Sequence, residues 1–120
     1  MIKRKIDNRI ESFYKNHNKA LLLTGARQTG KTFAIRRFGA ENFDSIVEIN
    51  FVENRNAIGF LDGAADAKEM ILRISAMTKT KMVSGKTLIF FDEVQEYPEI
   101  VTLIKFLVEE GSYRYALSGS

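Results

Sequence analysis

The stretch ALLLTGARQTGKT, residues 20–32, decides the fold of this chain. It opens with an apolar run, continues with a segment bounded by Gly25 and Gly30, and ends in Lys31 and Thr32. This order fits the pattern G-x-x-x-x-G-K-[ST], in which a glycine-rich loop joins a buried strand to a helix. An apolar run precedes the loop and a run of helical period follows it, so the surrounding sequence is what the pattern requires.

A loop of this kind binds phosphate, a dense anion that needs several converging N–H donors and positive charge. Glycine permits the backbone conformations of a loop that wraps around phosphate. The following helix adds free N–H groups and the positive end of its dipole. We expect the Lys31 ammonium to reach the β- and γ-phosphates of a nucleotide and the Thr32 hydroxyl to be a Mg²⁺ ligand. The predicted binding segment is Gly25, Ala26, Arg27, Gln28, Thr29, Gly30, Lys31 and Thr32.

A second decisive stretch, TLIFFDE at residues 87–93, is an apolar run that ends in Asp92 and Glu93. Such a run is typical of a strand buried on both faces of a parallel sheet. Parallel strands present their carboxyl ends at the edge where α/β folds bind ligands. We therefore expect Asp92 to lie near Thr32 and to hold Mg²⁺, and Glu93 to orient and deprotonate an attacking water. The alternative, a strand that merely meets solvent with charged residues, is weaker beside a phosphate loop.

The rest of the chain alternates short apolar runs with segments of helical period, which predicts a parallel α/β sheet. The predicted strands are residues 20–23, 45–51, 87–91 and 113–117. The predicted helices are an amphipathic one within residues 1–19, then 31–38, 64–77 and one that starts near Pro98, with a single turn at 56–61. Glycines are predicted to end two of these helices, at Gly39 and Gly111.

The length of 120 residues indicates one domain. Its composition is that of an ordinary globular protein, with 45% hydrophobic and 28% charged residues. There is no cysteine, which excludes disulfides and thiolate metal sites. No apolar run reaches the length of a membrane span and no secretory signal opens the chain, so we expect a cytoplasmic protein with no membrane partner. The net charge of +3 comes from scattered basic residues, which favours an ordinary solvated surface over a nucleic-acid surface.

Three segments together resemble a group of bacterial and archaeal AAA+-type ATPases: the G-x-R-Q-x-G-K-T loop, the FFDEVQ segment with Pro98 soon after it, and the final SGS. The resemblance spans about residues 2–120. It implies an N-terminal ATPase domain with a P-loop NTPase fold, a three-layer α/β/α sandwich whose strands are ordered 1-4-3-2. It also implies ATP as the nucleotide, together with Mg²⁺.

The same resemblance assigns roles to individual residues. The phosphate loop and the acidic pair keep the roles described above, while Arg27 and Gln28 match the group without a defined chemistry. A polar residue at the end of the fourth strand senses the γ-phosphate in these ATPases. Ser118 is the candidate for that role, and Ser120 is the second choice.

The sequence departs from the family pattern at its end, because a fifth strand, a helical lid and an arginine finger have no counterpart before Ser120. The resemblance therefore implies a partial domain, with residues 1–19 as an N-terminal helix and residues 20–120 as the P-loop core. It favours ATP binding over turnover, since an arginine finger contributes about 10³–10⁵ in rate. A fifth strand would pair with residues 20–23, so we expect self-association through that exposed edge.

Three functions compete at this point. The leading one is an ATPase module that couples Mg²⁺-dependent ATP hydrolysis to another domain or partner. The second is a small-molecule or polynucleotide kinase, which the water-activating Glu93 disfavours. The third is a nucleotide-dependent interaction module that acts on a DNA or protein client without turnover.

Overall fold

The computed structural model describes residues 20–23 and 29–119. Within these ranges strands and helices alternate in the order β1 (Leu21–Leu23), α1 (Thr29–Asn42), β2 (Ser45–Asn50), α2 (Asn56–Asp62), α3 (Ala67–Met77), β3 (Thr87–Asp92), α4 (Ile100–Glu110) and β4 (Arg114–Ser118). A 3-10 turn, Val94–Glu96, follows β3. The amphipathic helix predicted within residues 1–19 lies outside the described residues.

The four strands form one sheet in the order β1-β4-β3-β2, and every neighbouring pair is parallel. This confirms the predicted strand order. The register aligns Asn50 with Asp92 and Leu23 with Ser118, so the carboxyl ends of all four strands meet at one edge of the sheet. That edge is where a parallel α/β fold binds its ligands.

Helices cover both faces of the sheet, as a three-layer α/β/α sandwich requires. On one face α1 packs against β3 and β4 through a small cluster: Ala34, Ile35, Phe38, Leu88, Phe90 and Ala116. On the other face α2, α3 and α4 contribute to a larger cluster that includes Phe91. All six residues of β3 are buried, as the apolar run predicted.

An aromatic row crosses the larger core. The ring of Phe91 stacks on Phe51 and on Tyr115, with centroids 5.8 and 6.5 Å apart respectively. Tyr97 meets Phe51 edge-on at 5.3 Å, and its hydroxyl donates to Asp62 Oδ1 at 3.0 Å. These contacts tie α2 and the segment after β3 to the sheet, and they hold the end of β3 in place.

The prediction that Gly39 ends the first helix was wrong, because α1 continues to Asn42. A Cβ at Gly39 would lie 2.7 Å from Cγ1 of Ile46 and 3.1 Å from Cδ2 of Leu88. Glycine lets the helix approach the side chains of β2 and β3 closely here, and it does not mark the end of the helix. Gly111, in contrast, has φ of 85° and ends α4 as predicted.

The helix starts also differ from the prediction, and α1 begins at Thr29 rather than at residue 31. α3 begins at Ala67 rather than at residue 64, because the Asp66 carboxylate accepts the Glu69 N–H at 2.8 Å and caps the helix there. Glu69 in turn accepts the N–H of Ala65 at 2.9 Å, which closes a reciprocal cap. α4 begins at Ile100, two residues after Pro98.

Candidate functional site

The first turn of α1 lies over the carboxyl ends of β3 and β4. The Lys31 ammonium donates a hydrogen bond to the carbonyl of Gly119, the residue after β4, at 2.7 Å. The Thr32 hydroxyl donates to Oδ2 of Asp92, the last residue of β3, at 3.2 Å. Two consecutive residues of the helix thus reach the ends of two neighbouring strands, as expected for a site at this edge.

Asp92 is a buried carboxylate, with only 6% of its surface exposed. It accepts the backbone N–H of Glu93 at 2.8 Å through Oδ1, in addition to the Thr32 hydroxyl. Burial raises the pKa of the Asp92 carboxyl above its ordinary value, and the two hydrogen bonds offset part of that rise. Asp92 therefore carries a negative charge at an energetic cost that a nearby cation would reduce.

Glu93 adopts a left-handed backbone conformation, with φ of 57° and ψ of 47°. For a residue with a Cβ this conformation costs about 1–2 kcal/mol. The turn aims the backbone N–H of Glu93 back at Asp92 and starts the 3-10 turn that carries Gln95. Unfavourable backbone conformations of this kind concentrate at functional sites, where the surrounding structure maintains them.

Ser118 lies at the end of β4 and is 2% exposed. Along β3 and β4, Phe90 and Ala116 face α1, so the period of two places Asp92 and Ser118 toward the same face. The predicted serine and the predicted aspartate thus share one edge and one face of the sheet.

The phosphate loop is only partly described. Thr29 and Gly30 form the first two positions of α1. The other predicted loop residues, Gly25, Ala26, Arg27 and Gln28, lie outside the described residues, as does Ser120. The assignment of the loop therefore remains a prediction from its sequence pattern.

Thr32 and Asp92 suit a Mg²⁺ site. They bring a hydroxyl and a buried carboxylate to within 3.2 Å of each other, and both are oxygen donors of the type that Mg²⁺ prefers. Residues 20–23 and 29–119 contain no group of three or more acidic, histidine or cysteine side chains that could hold a metal.

Sequence reasoning missed two residues near the site. Gly119 enters through its backbone carbonyl, so its residue type carries no direct signal. Asn50 ends β2 beside Asp92, and its side-chain Oδ1 accepts the N–H groups of Val52 and Glu53 at 2.8 and 3.0 Å. Asn50 could have been identified from the sequence, because it is a polar residue at the end of a strand rich in β-branched residues.

A surface cavity of about 670 Å³ lies away from this edge, between the start of α3 and α4. It is lined by Met70, Leu103 and Phe106 with Asp66 and Glu109 among its polar residues, and by none of the described candidate site residues. No helix in the described part of the chain has both the length and the apolar character that crossing a membrane requires.

Comparison with known proteins gives a family for this arrangement. Residues 17–120 match the family described as AAA domain, which covers both the loop pattern and the acidic pair. The chain matches none of the curated proteins and none of the solved structures compared with it. With the parallel sheet in the order 1-4-3-2 and the α1 turn above its edge, this chain belongs to the AAA domain family and is a nucleotide-binding, ATPase-like module.

Proposed function

We propose that this chain binds ATP with Mg²⁺ at the carboxyl edge of the sheet and supports ATP hydrolysis that is coupled to another domain or partner. The observation that carries the proposal is the pair of contacts from α1, Lys31 to Gly119 and Thr32 to Asp92. They bring the lysine of the loop pattern to the end of β4 and its hydroxyl to the acidic end of the neighbouring strand, β3. A glycine turn without a ligand would have no need of this convergence.

Binding would use the loop and the start of α1. The N–H groups from Gly25 to Gly30 would surround the phosphates, at the positive end of the α1 dipole. Lys31 would bind the β- and γ-phosphates as a cation with three N–H donors. Thr32 and Asp92 would hold Mg²⁺, which neutralises phosphate charge when it is bound.

Hydrolysis would depend on the residues that follow β3 and β4. Glu93 would accept a proton from the attacking water while the water oxygen forms a bond to the γ-phosphorus and the bond to the β-phosphate oxygen breaks. The products are ADP and phosphate. Ser118 would donate a hydrogen bond to the γ-phosphate and so distinguish ATP from ADP.

Calorimetry of Mg²⁺-ATP binding tests the proposal with Lys31→Ala as the informative variant. Loss of a charge-assisted contact should weaken binding about ten- to a hundredfold. Lys105→Ala, at an exposed position on α4, is the matched control and should bind like the unmodified chain. Absence of saturable binding in the unmodified chain, or equal weakening in both variants, would refute the proposed site.

Phosphate release then separates hydrolysis from binding alone. Glu93→Gln should keep Mg²⁺-ATP affinity and lose about 10²–10⁴ of any turnover, the usual contribution of a general base. If the unmodified chain binds ATP with no turnover, the result would favour the alternative function, a nucleotide-dependent interaction module that does not hydrolyse ATP. Phosphate transfer to an added acceptor would instead support the kinase.

A further inference from the structure

A groove between the start of α3 and α4 lies outside the site described above. It is the surface cavity of about 670 Å³, and its apolar lining includes Met70, Leu103 and Phe106. The Phe106 side chain is 55% exposed, although α4 buries other apolar residues against the sheet. Concave apolar surface that is open to solvent is typical of a site that binds a partner.

The groove also carries an excess of negative charge. Three of its lining residues are acidic, Asp66, Glu109 and Glu110, and one is basic, Lys68. Asp66 and Glu110 also accept hydrogen bonds within the chain, which do not neutralise a carboxylate. An occupant that complements this groove therefore has an apolar face with basic side chains beside it.

Residues 1–19 of the same chain have this pattern. Their apolar residues recur at the spacing of one helix face: Ile2, Ile6, Ile10 and Phe13. The segment has six lysine and arginine side chains and two acidic ones. It lies outside the described residues, so its helix is a prediction from the sequence. An amphipathic helix needs a surface on which to bury its apolar face.

The point at which this segment joins the sheet permits it to reach the groove. Ala20, the next residue, packs against the larger core cluster, as does Leu103 of the groove. Ala20 thus faces the side of the sheet that α3 and α4 cover. Residues 15–19 can extend about 16 Å. The groove wall from Leu103 to Glu110 is about 10 Å long on the helix axis, which is enough for two turns of a docked helix.

We propose that residues 1–19 dock in this groove of their own chain. The apolar face of their predicted helix contacts Met70, Leu103 and Phe106, and their basic side chains lie beside the acidic residues of the groove. Burial of apolar surface supplies most of the affinity, because exposed ion pairs contribute little. The charges set the orientation of the segment. This inference goes beyond the proposed function, since it involves no nucleotide.

Cysteine pairs in the full chain test the docking directly, because the chain has no cysteine of its own. Ala67→Cys places a thiol in the groove and keeps its acidic residues. It is combined with Ile6→Cys or Ile10→Cys, on the apolar face of the predicted helix, and with Asn8→Cys on the opposite face as the matched control. Under mild oxidation a linked monomer should form about tenfold faster with an apolar-face cysteine than with the control, because a disulfide requires Cα atoms within about 7 Å.

Two results of this experiment would overturn the proposal. Equal rates for the two faces, or no linked product, would show that the segment does not dock through its apolar face. Linked dimers in place of linked monomers would show that a second copy of the chain occupies the groove.

Trypsin cleavage within residues 1–19, which contain six lysines and arginines, provides a second measurement. Phe106→Ser should speed this cleavage about tenfold, because a docked segment loses the burial of an aromatic side chain. Leu72→Ser, at an exposed apolar position of α3 outside the groove, is the control and should leave the rate unchanged. Urea unfolding checks that both variants fold. Equal rates in all three proteins, or equal acceleration by both variants, would show that the groove does not hold the segment.

Discussion

Within residues 20–23 and 29–119, the two faces of the sheet differ in how much core they carry. On the α1 face, described residues form a cluster of six buried side chains, whereas the face covered by α2, α3 and α4 buries sixteen. The candidate site residues Lys31, Thr32 and Asp92 lie at the edge of the smaller cluster. Elements with few buried apolar contacts open at lower free energy than the rest of a domain. Among the described residues, therefore, one face carries most of the buried core, and the other borders the site at which we propose that the nucleotide binds.

Phe90 and Phe91 give the sharpest test of this comparison, because they are adjacent, fully buried and on opposite faces. Phe91→Leu should lower the free energy of unfolding by about 1–3 kcal/mol more than Phe90→Leu, because it loses two ring contacts worth about 0.5–1.5 kcal/mol each. Phe90→Leu should weaken Mg²⁺-ATP binding more, because Phe90 packs under α1. Urea unfolding measures the stability and calorimetry measures the Mg²⁺-ATP affinity. Similar values for the two variants would show that the two faces do not differ in these roles.

Gly39 offers a test with a smaller expected effect. Gly39→Ala should destabilise the protein by about 1 kcal/mol, because overpacking costs about 1–3 kcal/mol and the better helix propensity of alanine returns about 1 kcal/mol. The free energy of unfolding from urea titration measures the change. Gly59→Ala in α2 is the control, since its Cβ would meet nothing within 4 Å and only the propensity gain remains. If Gly39→Ala were as stable as Gly59→Ala, α1 would not depend on close approach to β2.

Glu69→Gln should have the smallest effect on stability, and that effect should depend on pH. Its backbone hydrogen bond from Ala65, with help from Arg73, lowers the pKa of the Glu69 carboxyl below its ordinary value. The folded state therefore favours the carboxylate, and this stability is present above the unfolded-state pKa and is lost as the pH falls through the folded-state pKa. Glu69→Gln should lower the urea midpoint of unfolding at pH 7, and the two proteins should converge once the pH is well below the folded-state pKa of Glu69.

Glu41→Gln, at an exposed position on α1, is the control for that comparison. Because α3 lies on the larger face, Glu69→Gln should leave Mg²⁺-ATP affinity unchanged. A midpoint difference that persists at low pH would contradict the role of the ionised carboxylate. A change in nucleotide affinity would contradict the separation of the two faces.

The strands and the central pair of site residues could be predicted from the sequence because both rest on strong local patterns, whereas the strand order was implied by the family resemblance. The apolar run before Asp92 fixed a buried strand, and parallel strands bring their carboxyl ends together, so the meeting of Thr32 with Asp92 followed. Strand bounds came within a residue for the same reason: for β3, residues 87–91 against Thr87–Asp92.

Other features depend on distances that no local pattern contains. Gly39 and Gly111 both follow apolar helical runs, yet one touches a strand and the other adopts positive φ. Only the helix–sheet spacing distinguishes them. Gly119 contributes a backbone carbonyl that any residue type also possesses, so its place beside Lys31 becomes visible only once β4 lies next to β3.

The close approach of Gly39 to β2 also means that a tilt of α1 at this point would displace Lys31 at the start of the helix. Eight residues separate Gly39 from Lys31, which is roughly 12 Å along a helix axis. A tilt of about five degrees at the glycine would move the lysine end by about 1 Å, a displacement large enough to cost about a hundredfold in a positioned reaction. On the proposed function, the side chain of Ile46 on β2, which lies beside Gly39, would influence the position of the Lys31 ammonium from a distance. A partner that bound the Asn42 end of α1 and tilted the helix about Gly39 would therefore change nucleotide binding.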